Sequence, residues 1–125
     1  MSAVGYFEIQ AGDPARAIAF YTRVFGWRFP KSEGKPIDYW EIEGAGIRGG
    51  LLGRPVPVPE GPSGTNAYVC SMEVSDFDAS AELIMAAGGI LAMAKFPVPG
   101  VCWQGYFQDT EGNTFGVFQP DESAG

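Results

Sequence analysis

Polar and apolar side chains alternate through Tyr6-Phe7-Glu8-Ile9-Gln10-Ala11, the period-two pattern of a strand whose two faces meet different surroundings. The alternation stops at Asp13-Pro14, where a short acidic side chain caps a helix and proline takes its first position. Ala17, Ile18, Phe20, Tyr21, Val24 and Phe25 then recur at helical spacing as one apolar stripe. Gly26 stands where a helix ends on a residue tolerant of the left-handed region. Trp27–Pro30 predicts a short strand, and Ile37–Glu43 and Ile47–Leu52 predict two more around a Gly44-Ala45-Gly46 turn. The stretch Arg54–Gly64 carries four prolines and two glycines; it can neither pair as a central strand nor continue a helix, and residues 54–65 read as a linker. Beyond it the pattern returns. Ala67–Val74 predicts a strand, Asp76 caps a helix through Ala87, and Gly88-Gly89 stops it. Strands follow at Ile90–Phe96, Trp103–Asp109 and Thr114–Gln119, separated by the Pro97–Gly100 loop and the Thr110–Asn113 turn, with Asp121–Gly125 as a frayed tail.

The two halves repeat. An offset of about 63 residues pairs Asp13 with Asp76, Gly26 with Gly89 and Ala11 with Val74; slightly longer spacing pairs Trp40 with Tyr106 and Gly50 with Gly116. Each half reads strand-helix-strand-strand-strand. The expected fold is therefore α+β, with two tandem βαβββ modules at about 4–53 and 66–120 within one domain of residues 1–125. A single module leaves one sheet face uncovered, so two modules facing one another would enclose an open, incomplete barrel-like groove.

Composition narrows the chemistry. Eight basic against fifteen acidic side chains give a net charge of −7, which argues against a nucleic-acid partner, since such binding depends on cations meeting phosphates. The chain contains no histidine. That removes the commonest metal ligand and the commonest general base at neutral pH, and with them His-Cys-Cys zinc sites, HExxH sites and His-containing triads. Cys70 and Cys102 are too few and too far apart for a disulfide framework or metal knuckle, and read as free thiols of a cytoplasmic protein. The start, Met1-Ser2-Ala3-Val4-Gly5, lacks a basic n-region and an apolar h-region. The longest nearly apolar stretch, Leu83–Ala94, falls well short of the roughly 20 residues that span a bilayer, so no membrane partner is expected.

Phe7-Glu8-Ile9, the helix phrase Asp13-Pro14-Ala15-Arg16-Ala17-Ile18-Ala19-Phe20-Tyr21, then Val24-Phe25-Gly26-Trp27, and the closing Asp109-Thr110-Glu111-Gly112-Asn113-Thr114-Phe115-Gly116-Val117-Phe118 resemble the vicinal-oxygen-chelate superfamily. It includes glyoxalase I, extradiol dioxygenases, epimerases, fosfomycin resistance enzymes and bleomycin resistance proteins. The resemblance runs from about Val4 to Pro120 and implies, for the enzymes, a divalent metal held by one residue from each of four strands. Carried onto this chain, those positions are Tyr6, Gly50, Val69 and Gly116. Two glycines and a valine offer no side-chain ligand, and a neutral phenol is a poor one. The resemblance thus implies the cradle without the metal, and neither a metal nor another cofactor is expected. It also implies a homodimer, because grooves of this superfamily are often completed across a subunit interface.

Alternation assigns the groove side. With Tyr6 facing inward, Glu8 and Gln10 do too, while Phe7, Ile9 and Ala11 pack against the helix. Ser71 and Glu73 share the groove face with Val69, and Phe118 shares it with Gly116. Arg48, two residues before Gly50, faces inward if Gly50 does, and Trp40 and Tyr106, being repeat-equivalent, are expected on one side; Trp103 is expected as a flap beside Pro97–Gly100. The candidate ligand-binding set is thus Tyr6, Glu8, Gln10, Trp40, Arg48, Ser71, Glu73, Trp103, Tyr106 and Phe118. The aromatics also suit plain packing, and Glu8 also suits an ion pair with Arg48.

Three functions fit. In the first, an aromatic, acidic groove binds a small organic ligand without turning it over; bleomycin resistance proteins, which the chain resembles, sequester a cationic drug, and a planar cation suits such a groove through charge and cation–π contact. The second is a metal-independent isomerase, lyase or cyclase with Glu8 as general base and Tyr6 or Tyr106 as hydrogen-bond donor to a developing oxyanion. The third is an accessory or scaffold protein with a vestigial pocket.

Overall fold

A computed structural model describes residues 2–57, 68–110 and 113–125. Along the chain run β1 (Val4–Ala11), α1 (Pro14–Phe25), β2 (Tyr39–Ile42), β3 (Arg48–Gly53), β4 (Val69–Glu73), α2 (Phe77–Ala86), β5 (Ile90–Val98), β6 (Cys102–Gln108) and β7 (Thr114–Pro120). The fold is α+β and separates into two units, one of Tyr6–Tyr68 and one of Val69–Gly125 with the residues up to Gly5.

In the Tyr6–Tyr68 unit the strand order is β2-β3-β1, with β1 parallel and β2 antiparallel to β3. A strand-helix-strand crossover leaves β1 and β3 parallel, and α1 provides it. Helix α1 starts where predicted: the Asp13 carboxylate accepts the Arg16 N–H at 3.1 Å, and Pro14 needs no partner for a donor it lacks. It ends on Gly26, whose φ of 73° is open to glycine at no steric cost. Phe7, Ile9, Ile42 and Leu51 are buried, and Trp27 sits edge-on to Phe7 while stacking on Tyr21, ring centroids 6.0 and 5.3 Å apart. The strand predicted over Trp27–Pro30 shrinks to isolated bridges, Arg28 with Glu43 and Lys31 with Trp40. Pro30 gives β2 its carbonyl, to the Glu41 N–H at 2.9 Å, but has no N–H to return.

In the other unit the order is β4-β7-β6-β5, with β4 parallel to β7 and the other pairs antiparallel. Phe77, Phe107 and Val117 form its core, flanked by Val74, Ala81, Ile84 and Phe115. Asp76 caps α2 through the Ala79 N–H at 3.0 Å, and the Phe77 N–H donates to the Gln119 side chain at 2.8 Å, tying the helix start to β7. Strand β5 runs on through Pro97 to Val98 where a loop was expected; it lies at the edge of its sheet, where a proline removes no ladder bond. The Asp109–Asn113 turn is closed by both Asp109 carboxylate oxygens, on the Asn113 backbone and side-chain N–H groups at 2.9 and 3.1 Å; its Glu111-Gly112 tip, like residues 58–65 of the expected linker, lies outside the described residues. The tail expected to fray is tied down instead. Ala124 is buried, its carbonyl accepts the Gly100 N–H at 2.9 Å, and the Asp121 N–H reaches Val101 at 2.9 Å.

Candidate functional site

With Phe7, Ile9 and Ala11 buried on one face of β1, Tyr6, Glu8 and Gln10 fall on the other. The register sets Arg48 beside Tyr6, Gly50 beside Glu8 and Leu52 beside Gln10, and β2 brings Glu41 to Gly50 and Tyr39 to Leu52. On this face the Tyr39 hydroxyl donates to Glu8 Oε2 at 3.0 Å, and the Tyr6 and Tyr39 hydroxyls lie 2.6 Å apart. Glycine at position 50 makes this possible. A Cβ there would overlap the Tyr39 ring, 2.6 Å from its Cε1 and nearer still to its hydroxyl oxygen. Burial pushes the Tyr6 phenol up to about 12, and the nearby Glu8 and Glu41 carboxylates add to the rise. Burial, then the charge of Glu8, pushes Tyr39 well above the usual phenol range. Both phenols are neutral at physiological pH.

A cleft of about 580 Å³ opens at the Tyr6 end of these strands, lined by Tyr6, Glu41, Ile47, Arg48 and the Arg28–Glu43 ion pair (3.2 Å). That volume suits a small organic molecule. Arg48 is exposed beside Tyr6 and makes no ion pair with Glu8 among the described residues.

In the Val69–Gly125 unit, Ser71, Glu73, Gly116, Phe118, Gln104 and Tyr106 share the face away from α2. Gln104 Nε2 donates to the buried Ser71 Oγ at 3.3 Å. A Cβ at Gly116 would run into Ser71 Oγ and stand 2.7 Å from Gln104 Nε2. Tyr106 stacks on Phe96 at 6.3 Å, and Phe118 lies against Gly5.

The structure thus gathers Tyr6, Glu8, Gln10 and Arg48 on one face of their unit, and Ser71, Glu73, Tyr106 and Phe118 on one face of the other. Both tryptophans are corrections. Trp40 pairs with Leu51, which pairs with Ile9, so it belongs to the buried side and not to that of Tyr6. The residue paired with Gly50 is Glu41, nine positions before it, whereas Tyr106 stands ten before Gly116. One hairpin is a residue shorter, and a slip of one residue flips a strand's faces. Trp103 is part of β6 rather than a flap. It alternates with Gln104 onto the side of Phe107, donates to Asp121 Oδ2 at 3.0 Å and carries Lys95 4.9 Å above its ring. Sequence reasoning passed over Tyr39 and Gln104. The signal was present in the two glycines: space vacated on one strand is filled from its neighbour, and in each unit the filler is an uncharged polar side chain.

The metal positions implied by resemblance do not fit a divalent ion. Gly50 and Gly116 supply no donor, and the space a side chain would need there holds the Tyr39 phenol in one unit and the Ser71 hydroxyl in the other. Val69 is aliphatic, and Tyr6 is held in its neutral form. Among the described residues no three His, Cys, Asp or Glu side chains gather as a metal site, Cys70 and Cys102 form no disulfide, and no helix is long and apolar enough to cross a membrane.

Among solved structures the fold is similar to the protein BH1468 of Bacillus halodurans, with a TM-score of 0.70 at 14% identity over 99% of this chain and 98% of that one. It is also similar to a glyoxalase/bleomycin resistance protein/dioxygenase superfamily member of Vibrio splendidus (0.66, 19%, covering 95% and 99%) and to methylmalonyl-CoA epimerase of Mycobacterium tuberculosis (0.61, 16%, covering 94% and 87%). In sequence it is 26% identical to CFP32 of Mycobacterium bovis and of Mycobacterium tuberculosis, provisionally named a glyoxylase, over 96% of this chain. The chain spans about half the length of these relatives, 46%. The Glyoxalase/Bleomycin resistance protein/Dioxygenase superfamily model matches residues 3–117, and the chain belongs to that superfamily.

Proposed function

We propose that this chain binds a small organic ligand at the Tyr6 end of its Tyr6–Tyr68 unit without a metal ion. One observation carries the reading: a ligand-sized cleft ends at Tyr6, and Tyr6 is wired through Tyr39 to the Glu8 carboxylate at 2.6 and 3.0 Å. A fixed polar anchor in a half-buried setting orients a bound molecule, and the exposed apolar side chain of Ile47 gives it area to cover. A metal-dependent glyoxalase reaction does not follow for this chain, because Gly50, Val69 and Gly116 bring no donor.

A thermal-shift screen of small organic cations, anions and neutral heterocycles tests it. A ligand at 100 times its dissociation constant adds about 2.7 kcal/mol to the stability of the folded state, and the shift should shrink in Tyr6→Phe. If no compound at millimolar concentration moves either the melting temperature or the Tyr6 amide resonance, the reading fails.

The same relay favours a second reading, a metal-independent isomerase, lyase or cyclase with Glu8 as general base, since the hydrogen bond from Tyr39 fixes that carboxylate beside the cleft residue Tyr6. Glu8→Gln separates the two: it abolishes turnover in an enzyme and only weakens affinity in a binder. We further place the protein in the cytoplasm as a homodimer. Cys70 and Cys102, which form no disulfide, suit a reducing compartment, and Phe20, Val24 and Phe25 of α1, each more than half exposed, offer a second copy an apolar surface. Light scattering at micromolar concentration checks the dimer.

A further inference from the structure

Resting on the ligand-binding reading above, the geometry points to a site whose polar anchor is a hydrogen-bond acceptor, so that it selects a ligand bearing a donor, such as a protonated amine or amidinium, over one bearing a carboxylate.

The direction follows from counting protons. A phenol has one hydrogen to give, and a carboxylate only accepts. Tyr39 lies 3.0 Å from Glu8 Oε2 and gives its hydrogen there. In the 2.6 Å contact between the two hydroxyls, Tyr39 therefore accepts and Tyr6 donates. The chain of bonds runs one way, from Tyr6 to Tyr39 to Glu8. Tyr6 is the member of this chain that lines the cleft, and with its hydrogen turned toward Tyr39 it keeps only lone pairs for a ligand. This reverses the oxyanion-donor role that Tyr6 has in the sequence reading. At the Tyr6 hydroxyl itself the Glu8 and Glu41 carboxylates each act more strongly than Arg48 does, although Arg48 and the Arg28–Glu43 pair also line the cleft.

Benzamidinium and benzoate are the probes, two molecules of matched shape with opposite charge and opposite hydrogen-bonding sense. Each is titrated into the isotope-labelled 125-residue chain, and affinities are read from the amide shifts of Tyr6, Arg48 and Gly49. Wild type should favour benzamidinium. Tyr39→Phe leaves the net charge unchanged but removes the group that holds the Tyr6 hydrogen, which then turns to the cleft. The benzamidinium-to-benzoate preference should fall by about tenfold or more, the effect of a hydrogen bond to a charged group. Tyr6→Phe supplies an independent arm: benzamidinium weakens there and benzoate does not. Amide spectra of the free variants check that both fold. Wild-type preference for benzoate, or an unchanged preference in Tyr39→Phe, overturns the assignment of direction while leaving ligand binding intact. If neither probe perturbs any cleft amide, the binding reading fails and this inference with it.

Discussion

Gly50→Ala is a one-carbon change with a large expected effect. The backbone at position 50 lies outside the left-handed region, so alanine is sterically allowed there, and the obstacle is the Tyr39 phenol, whose Cε1 would sit 2.6 Å from the new carbon. The ring must leave. Its hydrogen bond to the Glu8 carboxylate goes with it, which costs about 1.5–3 kcal/mol, and the bond to Tyr6 costs about 1 kcal/mol more. Alanine in a strand recovers about 0.5–1 kcal/mol of backbone entropy. The net loss is about 1.5–3.5 kcal/mol, or about 6–14 °C in melting temperature for a chain of this length. Thermal and urea denaturation read it, with Gly53→Ala as a control, since a Cβ at Gly53 meets nothing within 4 Å. The decisive comparison is the double mutant. With the ring already removed in Tyr39→Ala, the same Gly50→Ala change should be neutral or slightly stabilising, because interaction energy appears only between groups that touch. If Gly50→Ala melts within about 2 °C of wild type and shows no coupling to Tyr39, the phenol does not fill that space and the account of the site is wrong.

In the other unit, Gly116→Ala should destabilise by about 1–2 kcal/mol by displacing the buried Ser71–Gln104 bond, and Ser71→Ala should relieve part of that cost in urea melts. Phe77→Ala empties the centre of that unit's core and should cost about 3–5 kcal/mol in the same assay. The Tyr6 phenol titrates near 12 in the folded chain and near 10 when unfolded, so its contribution is fully present below pH 10 and is lost as pH climbs toward 12. Wild type should lose about 1–2 kcal/mol relative to Tyr6→Phe across that window, the two-unit shift discounted for partial exposure; a difference that stays flat between pH 9 and 11.5 would contradict the burial of that hydroxyl.

Much of this was legible in the sequence because it depends on local rules. Alternation in Tyr6–Ala11 fixed which side chains go under α1, since a buried face tolerates no slip. Asp13-Pro14, Gly26 and Asp76 marked helix ends through caps that act within a few residues. Local rules failed where distant chain decides. Trp27–Pro30 has strand-like side chains but a proline that halves its ladder; Pro97 reads as a breaker until β5 is known to be an edge; the tail is held by bonds to Gly100 and Val101, which lie twenty or more residues away. Trp40 went astray because the repeat was followed by aromatic character rather than by the residue facing Gly50, and hairpin length is invisible to such matching. Tyr39 could not be found from its own surroundings. Its role exists because a strand partner has no side chain.

The central proposal is that uncharged hydroxyl and amide groups fill the positions onto which the family resemblance carries metal ligands. Calorimetric titration of zinc, nickel and manganese into protein purified without chelator, paired with elemental analysis, tests it most directly. The account predicts metal content well below one ion per chain and no saturable heat at micromolar concentrations. One tightly held ion per chain, with binding lost in Tyr6→Phe, would contradict it.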